Sequence, residues 1–444
     1  MSAMTGALDE RTPRERMLTD AAGVLQVGAI AYGVFAAIIF LCGALAGLGA
    51  ARDLPDMLKS ILLYTYTGSS DTALAILILL ALAATSLLLV AMVAVLAREV
   101  WVVPLLVLLI ALALAGVILL GFTPGLPGII VIVVAGRMML TDLRAFRINP
   151  VMLKELRGRM RGFRAFAVIS IYLGLMGAIA LLLYLVFGSF ARGTGSAAAG
   201  EIGRVLFFGI AAIELLLILF IAPAFTAGAI TGERERQTYD LLQTTLLAKA
   251  TFVIGKLEAA LSYIVLLLLS GIPLQSLAFL FGGISEAEIA LSVLLLLVTA
   301  VLLGTVGIYF SAALPRTLVA SARAYGAALA VMFIVPVVIS VIINILNDLL
   351  FIRQGALPSP PMEALLRYID LLLTSVNPAA AGISAQSLLI DQRVLAFYNY
   401  TLRSDGSTIP MVSPWVLFTI LYLSASAVLI TLTIRKASQD FESS

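Results

Sequence analysis

The sequence predicts an all-α polytopic membrane protein with about ten transmembrane helices. Composition is the first reason: 62% of the 444 residues are hydrophobic and only 12% are charged, whereas soluble domains carry about 25% charged residues. The second is a series of apolar segments that approach or exceed the length of about 20 residues that a spanning helix needs. The third is the placement of lysine and arginine, which concentrate on one side of these segments.

Ten apolar segments are predicted to span the membrane. They lie roughly at residues 22–50, 72–97, 101–122, 127–140, 165–189, 205–228, 253–281, 287–310, 324–346 and 413–434. The fourth is short and opens at the turn formed by Pro124 and Pro127, so a re-entrant piece is the alternative there. In the fifth span of the second half, Pro336 is expected to produce a kink.

The orientation follows from the basic residues. With the N-terminus in the cytoplasm, 20 of the 28 lysines and arginines fall on the cytoplasmic side, as the positive-inside rule requires. If the fourth segment did not cross, the basic cluster at residues 137–164 would lie outside. Ten crossings with both termini in the cytoplasm is therefore the better interpretation. Because residues 1–20 are polar and of mixed charge, the first span is expected to be an uncleaved anchor.

A polar segment at residues 228–257 separates two apolar spans. Thr231 is placed to cap a helix, and Glu233 then favours its positive N-terminal end. A stripe at helical spacing follows at Glu235, Tyr239, Leu242 and Leu246. We therefore expect a short helix over residues 231–246 at the membrane surface, which Gly228 and Gly232 allow the chain to enter sharply.

A second polar segment at residues 144–166 is basic. Asn149 followed by Pro150 is typical of a helix start. Apolar residues recur at Met152, Leu156, Met160 and Phe163, and the other faces carry Lys154, Arg157, Arg161 and Arg164. Such a helix, predicted at 149–164, lies flat on an anionic leaflet. The alternative is a juxtamembrane basic segment that only fixes topology.

Both segments resemble parts of ABC-2 type transporter permeases. The sequence GERERQTYDLL is similar to the coupling helix of that family, which docks on a separate ATPase subunit. The matching positions are Gly232, Glu233, Arg234, Glu235, Arg236, Thr238, Tyr239, Asp240, Leu241 and Leu242. Asp240 stands where glutamate is commoner, and Leu246 stands where proline is expected. The alternative is a solvated loop helix without a partner. The elbow helix that precedes the family's first core span is matched by Asn149, Pro150, Lys154, Glu155, Leu156 and Arg157.

The resemblance implies a domain organisation. Residues 144–444 would form the six-helix core of a type V exporter-like ABC-2 permease, preceded by the elbow helix. Residues 1–143 would form an additional four-span bundle, whose plain composition suggests packing or regulation. The segment at 347–410 is predicted to hold two short helices around a break at Asn377-Pro378, either closing the outer end of the pathway or forming an ordinary interfacial loop.

The same resemblance implies partners and a location. A dimer of ABC ATPase subunits would bind ATP and magnesium, so no cofactor is expected on this chain. A second permease subunit, identical or homologous, would complete a central pathway in contact with membrane lipids, and a nucleic-acid partner is not expected. The location implied is a bacterial or archaeal cytoplasmic membrane.

Enzymatic function is not expected. The chain has no histidine and a single cysteine, Cys42, which excludes the usual catalytic triads and an intrachain disulfide and makes a metal centre very unlikely. It also lacks the phosphate-loop motif of ATPases. We therefore predict no catalytic residue and no metal site, and the function predicted is that of a permease subunit of an ATP-driven exporter.

Glu214 is the candidate for the translocation pathway or a subunit interface, because a charge at mid-membrane is costly unless it faces protein or water. A structural carboxylic acid bonded to a neighbouring helix is the alternative. Gly271, Pro273 and Gln275 are expected to break the span that contains them. Two other functions stay open: a proton- or ion-coupled transporter that uses Glu214, and an ABC-linked subunit that transmits force or regulates without moving a substrate.

Overall fold

The structure is a computed structural model that describes residues 13–47, 53–67, 70–140, 149–160, 163–191, 196–239, 248–347 and 359–442. The chain divides into two compact units, Met1–Asn149 and Pro150–Ser444. Nearly all of the described residues in both units are helical.

The first unit is a helical bundle. Its helices are α1 (Pro13–Gly47), α2 (Leu54–Leu62), α3 (Ser70–Ala97), α4 (Val102–Leu120) and α5 (Gly125–Leu140). α1 packs against α3 and α5, and α4 packs against α5. The short helix α2, which the sequence did not predict, packs on α3. Side chains join the end of α2 and the loop after it to the end of α4 and the loop before α5. Thr123 donates to the Ile61 carbonyl and Thr65 donates to the Leu119 carbonyl, both at 3.2 Å.

The second unit holds the remaining elements. They are α6 (Pro150–Met160), α7 (Phe163–Ala191), α8 (Ser196–Thr226), α9 (Thr231–Glu235), α10 (Lys249–Leu280), α11 (Glu286–Ala313), α12 (Thr317–Leu329), a π-helical turn (Ala330–Ile334), α13 (Val335–Asn347), α14 (Pro360–Thr374), α15 (Pro378–Gln392), β1 (Phe397–Thr401), β2 (Thr408–Val412) and α16 (Pro414–Glu442).

The interior of this unit lies between α8, α10 and α11. Leu219, Ile264 and Leu303 meet there, each almost fully buried. The approach of α8 to α11 is close because position 307 is glycine: a Cβ atom at Gly307 would lie 2.0 Å from Thr226 Oγ1. The opposite side of α11 packs on α16, where Phe418 and its neighbours form a second buried cluster. The core of the unit therefore lies among these central helices.

Nine helical segments among the described residues are long and apolar enough to cross a membrane. They are Met17–Gly43, Ile76–Ala97, Val102–Leu120, Phe166–Phe187, Gly200–Glu235, Lys249–Ser276, Glu286–Ala313, Thr317–Ile345 and Pro414–Ser438. The protein is thus a mostly helical, multi-pass membrane protein. The predicted fourth span corresponds to α5, whose 16 residues extend about 24 Å, less than the hydrocarbon core of about 30 Å. Whether α5 crosses stays a prediction.

The expected break at Gly271, Pro273 and Gln275 is wrong. α10 runs without interruption from Lys249 to Leu280 and contains Pro273. The glycine and the glutamine have another use, because both lie against the buried carboxyl group of Glu214. Gly271 and Gln275 therefore allow α10 to pack closely against Glu214 of α8.

The irregularity expected at Pro336 takes the form of the π-helical turn that directly precedes α13. Proline has no N–H, so the carbonyl four residues before Pro336, that of Met332, loses its helical donor. Asn377 supplies a replacement: its Nδ2 donates to the Met332 carbonyl at 3.0 Å and to the Val331 carbonyl at 3.5 Å. The widened turn is therefore held from outside the helix by one amide group.

The region before α16 contains the two helices predicted around Asn377-Pro378. The Asn377 side chain caps α15 by accepting from the Ala380 N–H at 2.9 Å. The antiparallel hairpin of β1 and β2, with Phe397 opposite Val412, was not predicted. The Glu363 carboxylate joins α14 to this hairpin, accepting from the backbone N–H groups of Arg403 and Ser404 at 3.0 Å each.

Candidate functional site: the polar junction around α9

The candidate site is the short helix α9 with the side chains that hold it, a set of contacts that we call the α9 junction. Ser311 of α11 forms its start, because Ser311 Oγ accepts from the backbone N–H groups of Ile230 and Thr231 at 2.9 and 3.1 Å. These are N–H groups that a helix start leaves without an internal partner. The junction thus begins with a cap supplied from 80 residues further along the chain.

The predicted capping role of Thr231 is wrong. Thr231 is the first residue inside α9 and is fully buried. Its hydroxyl donates backwards to the Ala227 carbonyl at 3.2 Å and receives a hydrogen bond from the Thr317 hydroxyl at 2.9 Å. A side chain that points back into the preceding turn cannot accept from the N–H groups ahead of it, so the cap is supplied by Ser311.

The prediction of one continuous helix over residues 231–246 is also wrong within the described residues. α9 ends at Glu235, and Gln237 adopts the left-handed conformation with φ of 57°. Gly228 and Gly232 keep negative φ angles. The turn between α8 and α9 therefore does not use the positive-φ conformation that glycine allows. Asp240, Leu241, Leu242 and Leu246 lie outside the described residues.

The end of α9 is attached to the connection between α11 and α12. Glu235 Oε1 accepts from the backbone N–H of Thr317 at 2.7 Å, at the start of α12, where a carboxylate also complements the positive helix end. Arg234 Nη1 donates to the Leu314 carbonyl at 3.4 Å. Arg234 also lies over the ring of Tyr239, 5.0 Å from its centroid. Two of the candidate coupling residues therefore also make internal contacts.

Glu233 belongs to a triad with the buried Lys256 and the half-buried Glu155, which we call the Lys256 triad. Lys256 Nζ of α10 donates to Glu155 Oε1 of α6 at 2.6 Å and to Glu233 Oε1 of α9 at 2.7 Å. Thr238 donates to the other oxygen of Glu233. Lys256 is only 4% exposed, and a buried ammonium is tolerated only when it is paired and hydrogen-bonded.

The residues predicted to form the elbow helix, 149–164, fall in two described elements. α6 begins at Pro150 as expected and is described to Met160, and Phe163 and Arg164 belong to α7. Residues 161 and 162 lie outside the described residues. Lys154 and Arg157 are exposed on α6, as predicted for the polar faces.

Asn149, directly before α6, is buried within the first unit. Its Nδ2 donates to Glu99 Oε1 at 2.8 Å. Burial raises the pKa of the Glu99 carboxyl group, and the hydrogen bond from Asn149 opposes that shift. The amide therefore satisfies one oxygen of a carboxyl group that has little contact with solvent.

The remaining coupling candidates divide by exposure. Arg236 is exposed, as is Glu235, whereas Tyr239 is buried against the ring of Phe252. The sequence did not single out Ser311, Thr317 or Lys256. A serine at the end of an apolar span, two residues before the last residue of α11, was the available signal for Ser311, and it is too common to identify a cap.

Glu214 lies in the interior of the second unit. Tyr172 of α7 donates to Glu214 Oε1 at 3.2 Å, and Gln275 of α10 donates to Oε2. A Cβ atom at Gly271 would lie 2.3 Å from the carboxyl group. The cavity beside it, about 10 Å³, has room for on the order of one water molecule. The geometry is that of a carboxyl group joining three helices; its role in a pathway stays a prediction.

The sequence matches no known protein family. No curated protein matches it either. The function must therefore be argued from the α9 junction and from the resemblance of its residues.

Proposed function

We propose that the chain is the permease subunit of an ATP-driven ABC-2 type exporter. The observation that carries the proposal is the α9 junction: a short polar helix between the spans α8 and α10, with an exposed edge at Glu235 and Arg236 and with hydrogen bonds to several other helices. A loop that only connects two spans does not require hydrogen bonds to other helices. A helix that transmits a displacement from a partner to the spans does require them.

The contacts suggest how a displacement of α9 would reach the spans. Ser311 joins the start of α9 to α11, Glu235 joins its end to α12, and Lys256 joins its middle to α10. Closure of a partner ATPase dimer would press on the exposed edge. Work is transmitted only if α9 binds the two states of the ATPase with different affinity.

Several parts of the assembly belong to the proposal and not to this chain. ATP and magnesium would be bound by the ATPase subunits, and a second permease subunit would line the pathway. The elbow helix α6, with exposed Lys154 and Arg157, suits the anionic surface of the cytoplasmic leaflet. The cytoplasmic location of both termini is part of the same proposal.

The decisive experiment is a purification of the tagged protein from detergent-solubilised membranes, followed by identification of bound ATPases with a phosphate-loop motif. Arg236→Glu is the sharpest variant because it reverses an exposed charge on the edge of α9. Arg435→Glu reverses an equally exposed arginine of α16 and serves as the matched control. The double variant Glu235→Arg/Leu242→Asp gives a stronger disruption, although Glu235 also has an internal bond.

We expect an ATPase to accompany the wild type and Arg435→Glu and to be lost from Arg236→Glu. If no ATPase accompanies any of the three, the proposal is wrong. Proton flux in proteoliposomes with Glu214→Gln would then test the ion-coupled alternative, which that substitution should abolish. If an ATPase binds but reconstituted vesicles move no substrate, the force-transmitting alternative is favoured.

A further inference from the structure

The Lys256 triad joins three elements that are far apart in sequence. Glu155 lies 101 residues before Lys256 and Glu233 lies 23 residues before it, on α6, α9 and α10 respectively. α6 also packs along α10. Two segments that the sequence places at the membrane surface, the elbow helix and the coupling segment, therefore share one ammonium group.

The charges of the triad are unequal, and Lys154 of α6 adds a weaker attraction on Glu233 from outside it. One ammonium faces two carboxylates, whose side chains are 23% and 20% exposed. Both lie within 2.7 Å of the same nitrogen, so without the ammonium two like charges would face each other at close range, where they repel. Removing one carboxylate leaves a simple ion pair. The triad should therefore tolerate loss of an anion far better than loss of the cation.

We propose that Lys256 is a positioning residue that holds α6 and α9 on α10, so that the two surface helices move as one body with that span. The role of this body in transmitting force rests on the proposed function. Its existence does not, because the triad lies within this chain. Displacement of α9 by any partner would carry the elbow helix with it, and displacement of the elbow would reach α9.

The test measures the distance between α6 and α9 in the purified protein, in lipid nanodiscs and without an added ATPase. Spin labels are attached at Arg157→Cys on α6 and Arg236→Cys directly after α9, both exposed positions, in a Cys42→Ala background. Pulsed electron paramagnetic resonance then reports the distribution of the distance between them. The variants compared are Lys256→Met, Glu155→Gln, Glu233→Gln and the neutral triple variant that combines all three. Lys249→Met, on the same helix outside the triad, is the matched control.

We expect a single narrow distance in the wild type and in Lys249→Met, and loss of that narrow distance in Lys256→Met. Either glutamine variant alone should broaden the distribution less. The triple variant should recover a narrower distribution than Lys256→Met, because the repulsion is gone while the apolar packing remains. This pattern would show that the charge of Lys256 holds the two helices. If only the packing of its aliphatic stem mattered, the triple variant would be as broad as Lys256→Met.

Two results would overturn the inference. The first is an unchanged distance distribution in Lys256→Met. The second is a triple variant as broad as Lys256→Met, which would assign the effect to lost packing. If Lys256→Met does not fold, the comparison of Glu155→Gln and Glu233→Gln with the wild type decides, since an unchanged distribution in both would refute the shared bridge. Failure of ATPase co-purification would refute the proposed function and leave these distances as they are.

Discussion

Replacing Ser311 with alanine should loosen α9 although the two positions are 80 residues apart. Ser311 Oγ accepts from two buried N–H groups, those of Ile230 and Thr231. Loss of a serine cap costs about 0.5–2 kcal/mol, and each buried donor left without a partner costs about 1–3 kcal/mol. Because both N–H groups share the single acceptor that is lost, we expect the free energy of opening this segment to fall by about 1–3 kcal/mol.

Hydrogen exchange followed by mass spectrometry measures this quantity directly, since amide protection reports the free energy of local opening. A loss of about 1–3 kcal/mol corresponds to exchange about 5- to 150-fold faster in peptides that cover Ile230 and Thr231. Peptides from the interior of α16 should exchange as in the wild type. The effect should thus be confined to a segment distant in sequence from the substitution.

The matched control is Ser426→Ala in α16. Ser426 is equally buried, but its hydroxyl donates to the Tyr422 carbonyl one turn earlier at 2.7 Å. That carbonyl is positioned to accept from the helix itself, so the substitution leaves no orphaned group. Exchange near residue 426 should change little. If Ser311→Ala leaves the exchange of residues 230 and 231 unchanged, α9 does not depend on this cap and the description of the junction is wrong.

Two further predictions concern the region before α16. Asn377→Asp keeps the cap of α15 but replaces the amide that donates to the Met332 carbonyl with a carboxylate, which cannot donate. It should therefore lower the melting temperature at least as much as Asn377→Ala does. A wild-type melting temperature for Asn377→Asp would show that only the cap matters. Burial alone would raise the pKa of Glu363, but the backbone N–H groups of Arg403 and Ser404 donate to its carboxylate and lower it below the ordinary value of 4.5. The stabilisation by the ionised carboxylate is therefore complete above pH 4.5 and is lost as pH falls through the lowered pKa. The melting temperature of the wild type should exceed that of Glu363→Gln by less at about pH 3 than at about pH 7. A constant advantage over this range, or an equal effect of the exposed control Asp391→Asn, would contradict this.

Much of the fold was predictable because it depends on local patterns. Apolar runs of sufficient length identified the spans, and Asn377-Pro378 marked a helix start because asparagine caps and proline fits the first turn. The same local logic fails for α10, where Pro273 predicts a break and the helix continues. A proline inside a membrane span is tolerated when surrounding groups serve the freed carbonyls, and sequence alone does not reveal such neighbours.

The candidate site was predictable only in its location. The charged run at residues 232–236 was found, but its partners were not, since Ser311, Thr317 and Lys256 come from three other helices. Thr231 illustrates the limit well. Its residue type and position suggest a cap, yet a serine brought close by packing takes that role, and tertiary contact overrides the local preference.

The length of α9 explains why its partners matter so much. A helix of five residues is far below the 12–15 residues at which an isolated helix becomes even marginally stable in water. Its backbone geometry must therefore be imposed by Ser311 at the start, Glu235 at the end and Lys256 in the middle. It follows that the charged residues here have different roles: Glu233 and Glu235 place the helix, while Arg236, directly after it, remains exposed. A substitution at Glu235 changes both the surface and its support. Only the exposed arginine separates recognition from positioning, which is why the test of the proposed function relies on it.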